Sequence, residues 1–348
     1  MNILSKLRPV FFIYQKQRNL TNTMSKNFLK YYIIIGLTVI ITGAVIFYYS
    51  LPGFSKFTVY HDPAVWEAPD MSSIAAGSEE ELVKYGRDLI INTAKYFGPK
   101  GSVASITNGM NCENCHLDAG TRSNGNCLAM VATSYPKFRE RSGRLESVEF
   151  RINECMQRSL NGDPIDSLSR EMRAMRAYIL WLGTTVPKGI RMKGMGIPDM
   201  PVLSRIASIG NGEHVFASKC RSCHGAEGQG LFKPDSAAYF YPPLWGPHSY
   251  NVSAGINRLS RLAGYIKYNM PFITYPSDPQ LTDEEAWDLA AYINSQQRPK
   301  KFFPYDWPKI ASKPFDFPFG PYADSFPELQ HRYGPFEPIK KHSVKTSH

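Results

Sequence analysis

The sequence predicts a mainly α-helical protein: two similar units in tandem, one apolar helix before them and an irregular tail after them. Three observations carry this. A Cys-x-x-Cys-His motif occurs twice, at Cys112–Cys115–His116 and Cys220–Cys223–His224, each time between segments of helical periodicity. Tyr31 to Tyr49 is an uncharged run rich in Ile, Val and Leu. After Pro299 the chain turns rich in Phe, Pro and Tyr and loses all periodicity. A length of 348 residues suits two small domains plus such extra segments.

Taken in order, residues 1–30 form a basic segment with Lys6, Arg8, Lys16, Arg18, Lys26 and Lys30 and no acid. They supply +6 of the formal charge of +10, leaving +4 on the rest, so the high pI is no argument for a nucleic-acid partner. Residues 31–50 read as a transmembrane anchor, long enough to cross a bilayer as a helix. The positive flank on its N-terminal side predicts a cytoplasmic N-terminus with the remainder outside. A cleaved signal peptide is the rival, but the run is long for that purpose and no small-x-small site follows it. Met24 is a second candidate start. These features place the chain at a bacterial inner membrane with its domains in the periplasm.

The first unit spans 51–185. Its helices are expected over about 79–97, 147–159 and 167–182, the last from Met172, Met175, Ile179 and Leu182 at helical spacing and ended by Gly183. Residues 186–207, with glycines and prolines at 187, 189, 194, 196, 198 and 201, read as a linker. The second unit, 208–298, opens with a helix near Gly212 and closes with one from Thr282 to about Gln296, where Thr282-x-x-Glu285 makes a capping box. The tail, 299–348, is too aromatic for disorder and is expected to wrap over both units.

The motif chemistry follows from residue types. Each cysteine pair supplies two thioether bonds to a c-type haem, and the adjacent histidine is its proximal iron ligand. Zinc or a redox dithiol is the bland alternative, disfavoured by two copies behind an export segment. In the second unit Gly212, Phe216 and Cys220 stand four apart, which resembles the cytochrome c fold, where a glycine lets the first helix cross the last closely. Gly86 and Ile90 repeat the first part of this in unit one, where an insertion separates them from Cys112, with Tyr178 and Tyr292 as aromatic partners. The distal ligands decide what each haem does. For haem two, Met270, followed by Pro271, is the candidate, with Lys267 and His248 as competitors. For haem one the candidates are Cys127, Met130, Cys155 and Met156. A thiolate would lower that haem's potential below that of a methionine-ligated one, and a Cys127–Cys155 disulfide is a further alternative.

At these residues the chain resembles the dihaem thiosulfate dehydrogenase / tetrathionate reductase family. The carrying stretches are Asn111–Gly120 (NCENCHLDAG), Arg151–Cys155 (RINEC), Arg158–Gly162 (RSLNG), Glu171–Met175, Tyr178–Trp181, Pro242–Gly246, Lys267–Pro271 and Tyr333–Phe336. The resemblance implies that Cys155 is the distal ligand of haem one, the catalytic haem, and that the reaction is 2 thiosulfate ⇌ tetrathionate + 2 electrons. Some relatives have a lysine directly before the distal methionine of haem two. This chain has Asn269 there, which favours constant His224/Met270 ligation. Two dianions must meet, so the site needs cations. Arg139, Arg141 and Arg144 cluster ahead of Cys155, and Lys267 stands near haem two. Any of them alone reads equally as a solvated basic residue. Ser159 and Asn161 are placed to orient substrate oxygens or to cap the turn at Gly162. Cys155 sulfur would hold a sulfane sulfur covalently, and haem two would exchange electrons with an external, periplasmic c-type cytochrome.

Three rival functions differ in what they require. A tethered dihaem electron carrier needs neither Cys155 nor arginines. A dihaem peroxidase needs an acid/base residue beside an open distal site, and no such candidate stands out. A haem sensor needs an output domain, and none is recognisable beyond the anchor.

Overall fold

A computed structural model describes residues 35–44, 65–74, 76–233, 238–272 and 280–345. Residues 35–44 are helical and exposed; the rest of the 31–50 run lies outside the described residues. Among the described residues no helix is long and apolar enough to cross a membrane.

Ten helices matter for the site. Unit one holds α1 (Ser78–Ile91), α2 (Thr93–Phe97), α3 (Ala129–Ser134), α4 (Val148–Arg158) and α5 (Arg170–Leu182). Unit two holds α6 (Ile209–Lys219), α7 (Leu259–Asn269) and α8 (Asp283–Ser295), and the tail holds α9 (Glu328–Tyr333) and α10 (Glu337–Lys345). Two small antiparallel hairpins complete the list: β1 (Lys137–Arg139) with β2 (Arg144–Glu146), and β3 (Leu231–Phe232) with β4 (Tyr239–Tyr241).

Local chemistry sets the helix ends. Ser147, Ser169 and Ser208 each accept a hydrogen bond from the backbone N–H three residues on, and so cap α4, α5 and α6. Thr282 and Glu285 form the expected capping box at α8. Glu79, Glu80 and Glu81 place negative charge on the first turn of α1, where the helix dipole favours it. The helix expected over 79–97 divides at Asn92, whose Nδ2 bonds the Asp88 carboxylate while α2 starts in a new direction.

Each unit crosses its first helix over its last at a glycine. A Cβ on Gly86 would lie 2.0 Å from Ala174 O and 2.8 Å from Tyr178 Cβ; one on Gly212 would lie 2.0 Å from Asp288 O and 2.8 Å from Tyr292 Cβ. Those distances exclude any side chain, so the two crossings share one geometry. Phe216 packs on Tyr292 and Trp245, with ring centroids 5.5 and 4.9 Å away.

The linker is packed rather than loose. Val186 and Met195 join the apolar core of unit one, and Met200 and Leu203 join that of unit two. The tail departs from the irregular expectation by forming α9 and α10, whose Tyr333 and Ile339, with Phe336 between them, enter the core of unit two. Pattern reading missed α9 because it is one and a half turns long and stands among prolines.

Candidate functional site

The first motif sits on a short turn, Cys112–Asn114, whose Asn111 and Asn114 side chains cap each other's backbone. Thr93 at the start of α2 accepts from Cys112 N at 2.9 Å, so the α1–α2 break places the motif. His116 Nδ1 bonds Asn126 O at 2.6 Å, and in the second motif His224 Nδ1 bonds Pro242 O at 2.9 Å. Fixing Nδ1 sets the tautomer and leaves Nε2 of each ring free to bind a metal. Burial, against the bond to Asn126, lowers His116 to about 4, so the ring is neutral as a ligand must be. All six cysteines are free of disulfides, and Cys112 and Cys220 pack at the margins of the two cores. These features fit a covalently attached haem at each motif.

Cys155 lies half-buried on α4. Its charge adds to burial in raising the thiols of Cys112 and Cys115, each pushed up to about 12. Cys155 is also the largest cause holding the Arg151 guanidinium well above its ordinary value, against burial and with Glu154 adding to it, and Arg151 in turn acts on His116. Cys155 and Arg151 therefore share one space with the first motif. The other thiol and thioethers weighed for this position differ: Cys127 and Met156 are core residues at 2 % and 0 % exposure, and Met130 packs beside Gly196. Cys127 and Cys155 are both free, so the disulfide alternative is not formed.

Behind Cys155 runs a buried ion network. Arg151 pairs with Glu154 at 3.0 Å, and Glu154 with Arg158 at 3.5 Å. Arg158 makes two 2.8 Å bonds to Asp306 of the tail, which also accepts from Arg141 Nε at 2.9 Å. Phe303 lies beneath the Arg158 guanidinium at 3.7 Å, and Trp307 N donates to Arg141 O at 2.6 Å. Burial would raise the Glu154 carboxyl, but Arg151, Arg158 and Arg141 together hold it below its usual value. The tail thus straps across α4. Arg151, Arg158 and Asp306 were not assigned roles from sequence. The spacing of Arg151, Glu154 and Arg158 on one helix face was the available signal.

The predicted basic cluster separates into two environments. Arg141 is buried, its NH2 on Ser253 O at 2.7 Å, and burial followed by Arg158 lowers it to about 10. Arg144 is exposed on β2 and lies over Phe150 at 4.0 Å. The cause is the turn between β1 and β2, where Gly143, with φ 65°, reverses the chain between the two arginines. Lys267 is held by Leu281 O at 2.5 Å and Asp283 at 3.0 Å, away from that network. Asn161 Oδ1 accepts from Asn251 Nδ2 at 3.0 Å, a contact between units. Ser159, one turn past Cys155, is half-buried, and its hydroxyl has no protein partner among the described residues. Met270 follows α7 directly and packs with Leu117, Ile197, Tyr265 and Ile256 in an apolar cluster beside His116. His248 is exposed.

Comparison with known proteins fits this geometry. Residues 102–187 match the SoxA/TsdA cytochrome c domain, and residues 209–297 match the cytochrome c domain. The thiosulfate dehydrogenase of Stutzerimonas stutzeri is 35 % identical over 68 % of this chain and 73 % of its own length. That of Allochromatium vinosum is 39 % identical over 66 % of this chain and 83 % of its own. Among solved structures, the thiosulfate dehydrogenase TsdBA from Marichromatium purpuratum, in its as-isolated form, superposes with a TM-score of 0.62 at 32 % identity. The match covers 68 % of this chain and spans half the length of that one. Two cytochrome c domains, each with a Cys-x-x-Cys-His motif, carry two covalently bound haem c groups. The chain belongs to the thiosulfate dehydrogenase family.

Proposed function

We infer that the chain is a dihaem oxidoreductase that interconverts thiosulfate and tetrathionate, 2 thiosulfate ⇌ tetrathionate + 2 electrons, in keeping with the name its relatives carry. Cys155 is the observation that carries this reading: a half-buried free thiol, electrostatically tied to the first haem motif and to Arg151. When bound, the haems supply one-electron redox chemistry, with His116 and Cys155 as iron ligands of the first and His224 and Met270 of the second. Methionine ligation sets the second haem at the higher potential and makes it the relay. Supporting Met270, its competitors are engaged or turned out: Lys267 is held by Leu281 and Asp283, and His248 is exposed.

The residues around Cys155 can do three things. Its thiolate can form a sulfur–sulfur bond to the sulfane sulfur of one thiosulfate, with loss of two electrons from the pair. The sulfane sulfur of a second thiosulfate then attacks the sulfur held by Cys155, forms the central bond of tetrathionate and releases the thiolate. Arg151 offers positive charge beside the reacting sulfur, and the Ser159 hydroxyl is free to hold a sulfonate oxygen. Arg141 contributes buried positive charge through the Asp306 network rather than a free fork. Arg144, Asn161 and Lys267 act, on this reading, outside direct substrate contact.

A periplasmic c-type cytochrome, or a carrier like it, exchanges electrons with the second haem, and the uncharged 31–50 run tethers the chain to the bacterial inner membrane with both haem domains outside. The test is the low-temperature EPR spectrum of the oxidised protein. A thiolate-ligated low-spin signal beside a His/Met one is expected. Two His/Met signals would leave only a tethered electron carrier.

A further inference from the structure

A fully buried carboxamide stands where the end of α7 in the second unit meets the loop of the first haem motif. Asn269 ends α7, directly before Met270, at 0 % exposure. A buried carboxamide is costly unless its protons are bonded. One proton of Nδ2 goes to Tyr265 O, 3.1 Å back along its own helix, and the other crosses between units to Asn124 O at 3.0 Å.

The loop it grips is the one that orients the first proximal histidine. Asn124 and Asn126 both adopt left-handed backbone, φ 61° and 59°. Asn126 O accepts from His116 Nδ1, Gly125 O accepts from Leu117 N at 3.1 Å, and Asn124 N is pinned to Gly194 O at 2.7 Å. A second strut comes from the same helix one turn earlier: Tyr265 OH donates to Asn114 O, inside the first motif, at 3.1 Å. Leu117, next to His116, and Met270 then meet in the apolar cluster with Tyr265.

We propose that Asn269 is a positioning residue that locks Met270 to the His116 loop and thereby fixes both the methionine ligation of the second haem and the route by which electrons cross between the haems. The inference rests on Met270 being the distal ligand. Groups that hold a metal ligand from behind set its geometry, and their loss costs about 10- to 100-fold in metal-site function. Here one carboxamide holds the ligand of one haem against the loop of the other. Loosening it affects Met270 and the crossing distance together. The Oδ1 of Asn269 is buried with no protein partner among the described residues, so an isosteric Asp would place an uncompensated charge there.

The experiment uses the full, haem-loaded chain with Asn269→Leu, which keeps the γ-branched shape and removes both donors, and Tyr265→Phe, which removes only the second strut. Three readouts are taken: the long-wavelength methionine-to-iron(III) absorption band, the midpoint potential of each haem, and the rate of electron equilibration between haems after rapid photoreduction. Asn269→Leu is expected to weaken the methionine band, shift the second haem's potential alone, and slow equilibration by about 10-fold or more. Tyr265→Phe is expected to leave the band intact and slow equilibration less than Asn269→Leu does. If Asn269→Leu does not retain both haems, Asn269→Ser, which keeps one donor, carries the same measurements. Lower stability with unchanged band and unchanged equilibration overturns the proposal, as does equal slowing by the two variants. Absence of the methionine band in the unmodified protein overturns instead the assignment of Met270 on which it rests.

Discussion

Removing the Asp306 carboxylate should detach the tail from the helix that carries Cys155. Asp306 takes three charged hydrogen bonds of 2.8–2.9 Å, two from Arg158 and one from Arg141. The side chains are 15 %, 8 % and 10 % exposed, so water compensates little once the carboxylate is gone. Asp306→Ala leaves the buried Arg141 guanidinium on the neutral Ser253 carbonyl, while Arg158 keeps only Glu154, at 3.5 Å. Breaking a buried pair from one side costs about 3–5 kcal/mol, whereas an exposed pair is worth about 0–1 kcal/mol. For a chain of 348 residues, with an unfolding entropy of about 2.1 cal/mol/K per residue, the larger figure corresponds to a fall in Tm of roughly 4–7 °C. The assay is chemical denaturation of the haem-loaded full chain, followed by far-ultraviolet circular dichroism, with Asp306→Asn as the shape-conserving control. Asp306→Asn should retain part of the loss, because one amide oxygen still accepts. A loss below about 1 kcal/mol at unchanged m-value would refute the reasoning: the strap would then be held by its aromatic contacts.

Further expectations concern the helix crossings, the capping box and the second haem. Gly212→Ala puts a Cβ 2.0 Å from the Asp288 carbonyl, so it should cost at least the about 1–3 kcal/mol of ordinary overpacking and lower haem retention in unit two, read by denaturation and haem stoichiometry. Thr282→Ala should cost about 1 kcal/mol by the same denaturation assay. Glu285 bonds Thr282 N at 2.7 Å and Lys219 at 2.9 Å, and those bonds hold its carboxyl below the ordinary 4.5 against the opposing effect of burial. Its stabilising contribution is therefore present above pH 4.5 and lost as the pH falls through the folded-state value. Glu285→Gln should flatten the pH dependence of the denaturation midpoint below pH 4.5. Met270→Ala should leave both haems attached, abolish the methionine absorption band and lower the second haem's potential, measured by redox titration.

The helical crossings were legible because they depend on residue type alone: only glycine fits at 86 and 212, and the aromatic partners Tyr178 and Tyr292 stand where the register puts them. The two motif histidines were legible as a pair for the same reason, and each has its Nδ1 held by a backbone carbonyl, of Asn126 and of Pro242. The arginines were not. Arg141 and Arg144 look alike in a basic run, but the intervening Gly143, with φ 65°, turns the β1–β2 hairpin, so one faces the core and the other water. The partner that makes Arg141 structural, Asp306, lies 165 residues away, and no local pattern joins them. The tail's part in the site and the grip of Asn269 on Asn124 are both long-range pairings and became visible only in the folded chain.

The central claim is that Cys155 performs sulfur chemistry at the first haem. It is tested most directly by steady-state turnover of the purified, haem-loaded chain with thiosulfate and a soluble one-electron acceptor, beside Cys155→Gly. The unmodified chain should form tetrathionate with two acceptor molecules reduced for each one made, and Cys155→Gly should form none while still carrying two attached haems. Unchanged turnover in Cys155→Gly would contradict the account.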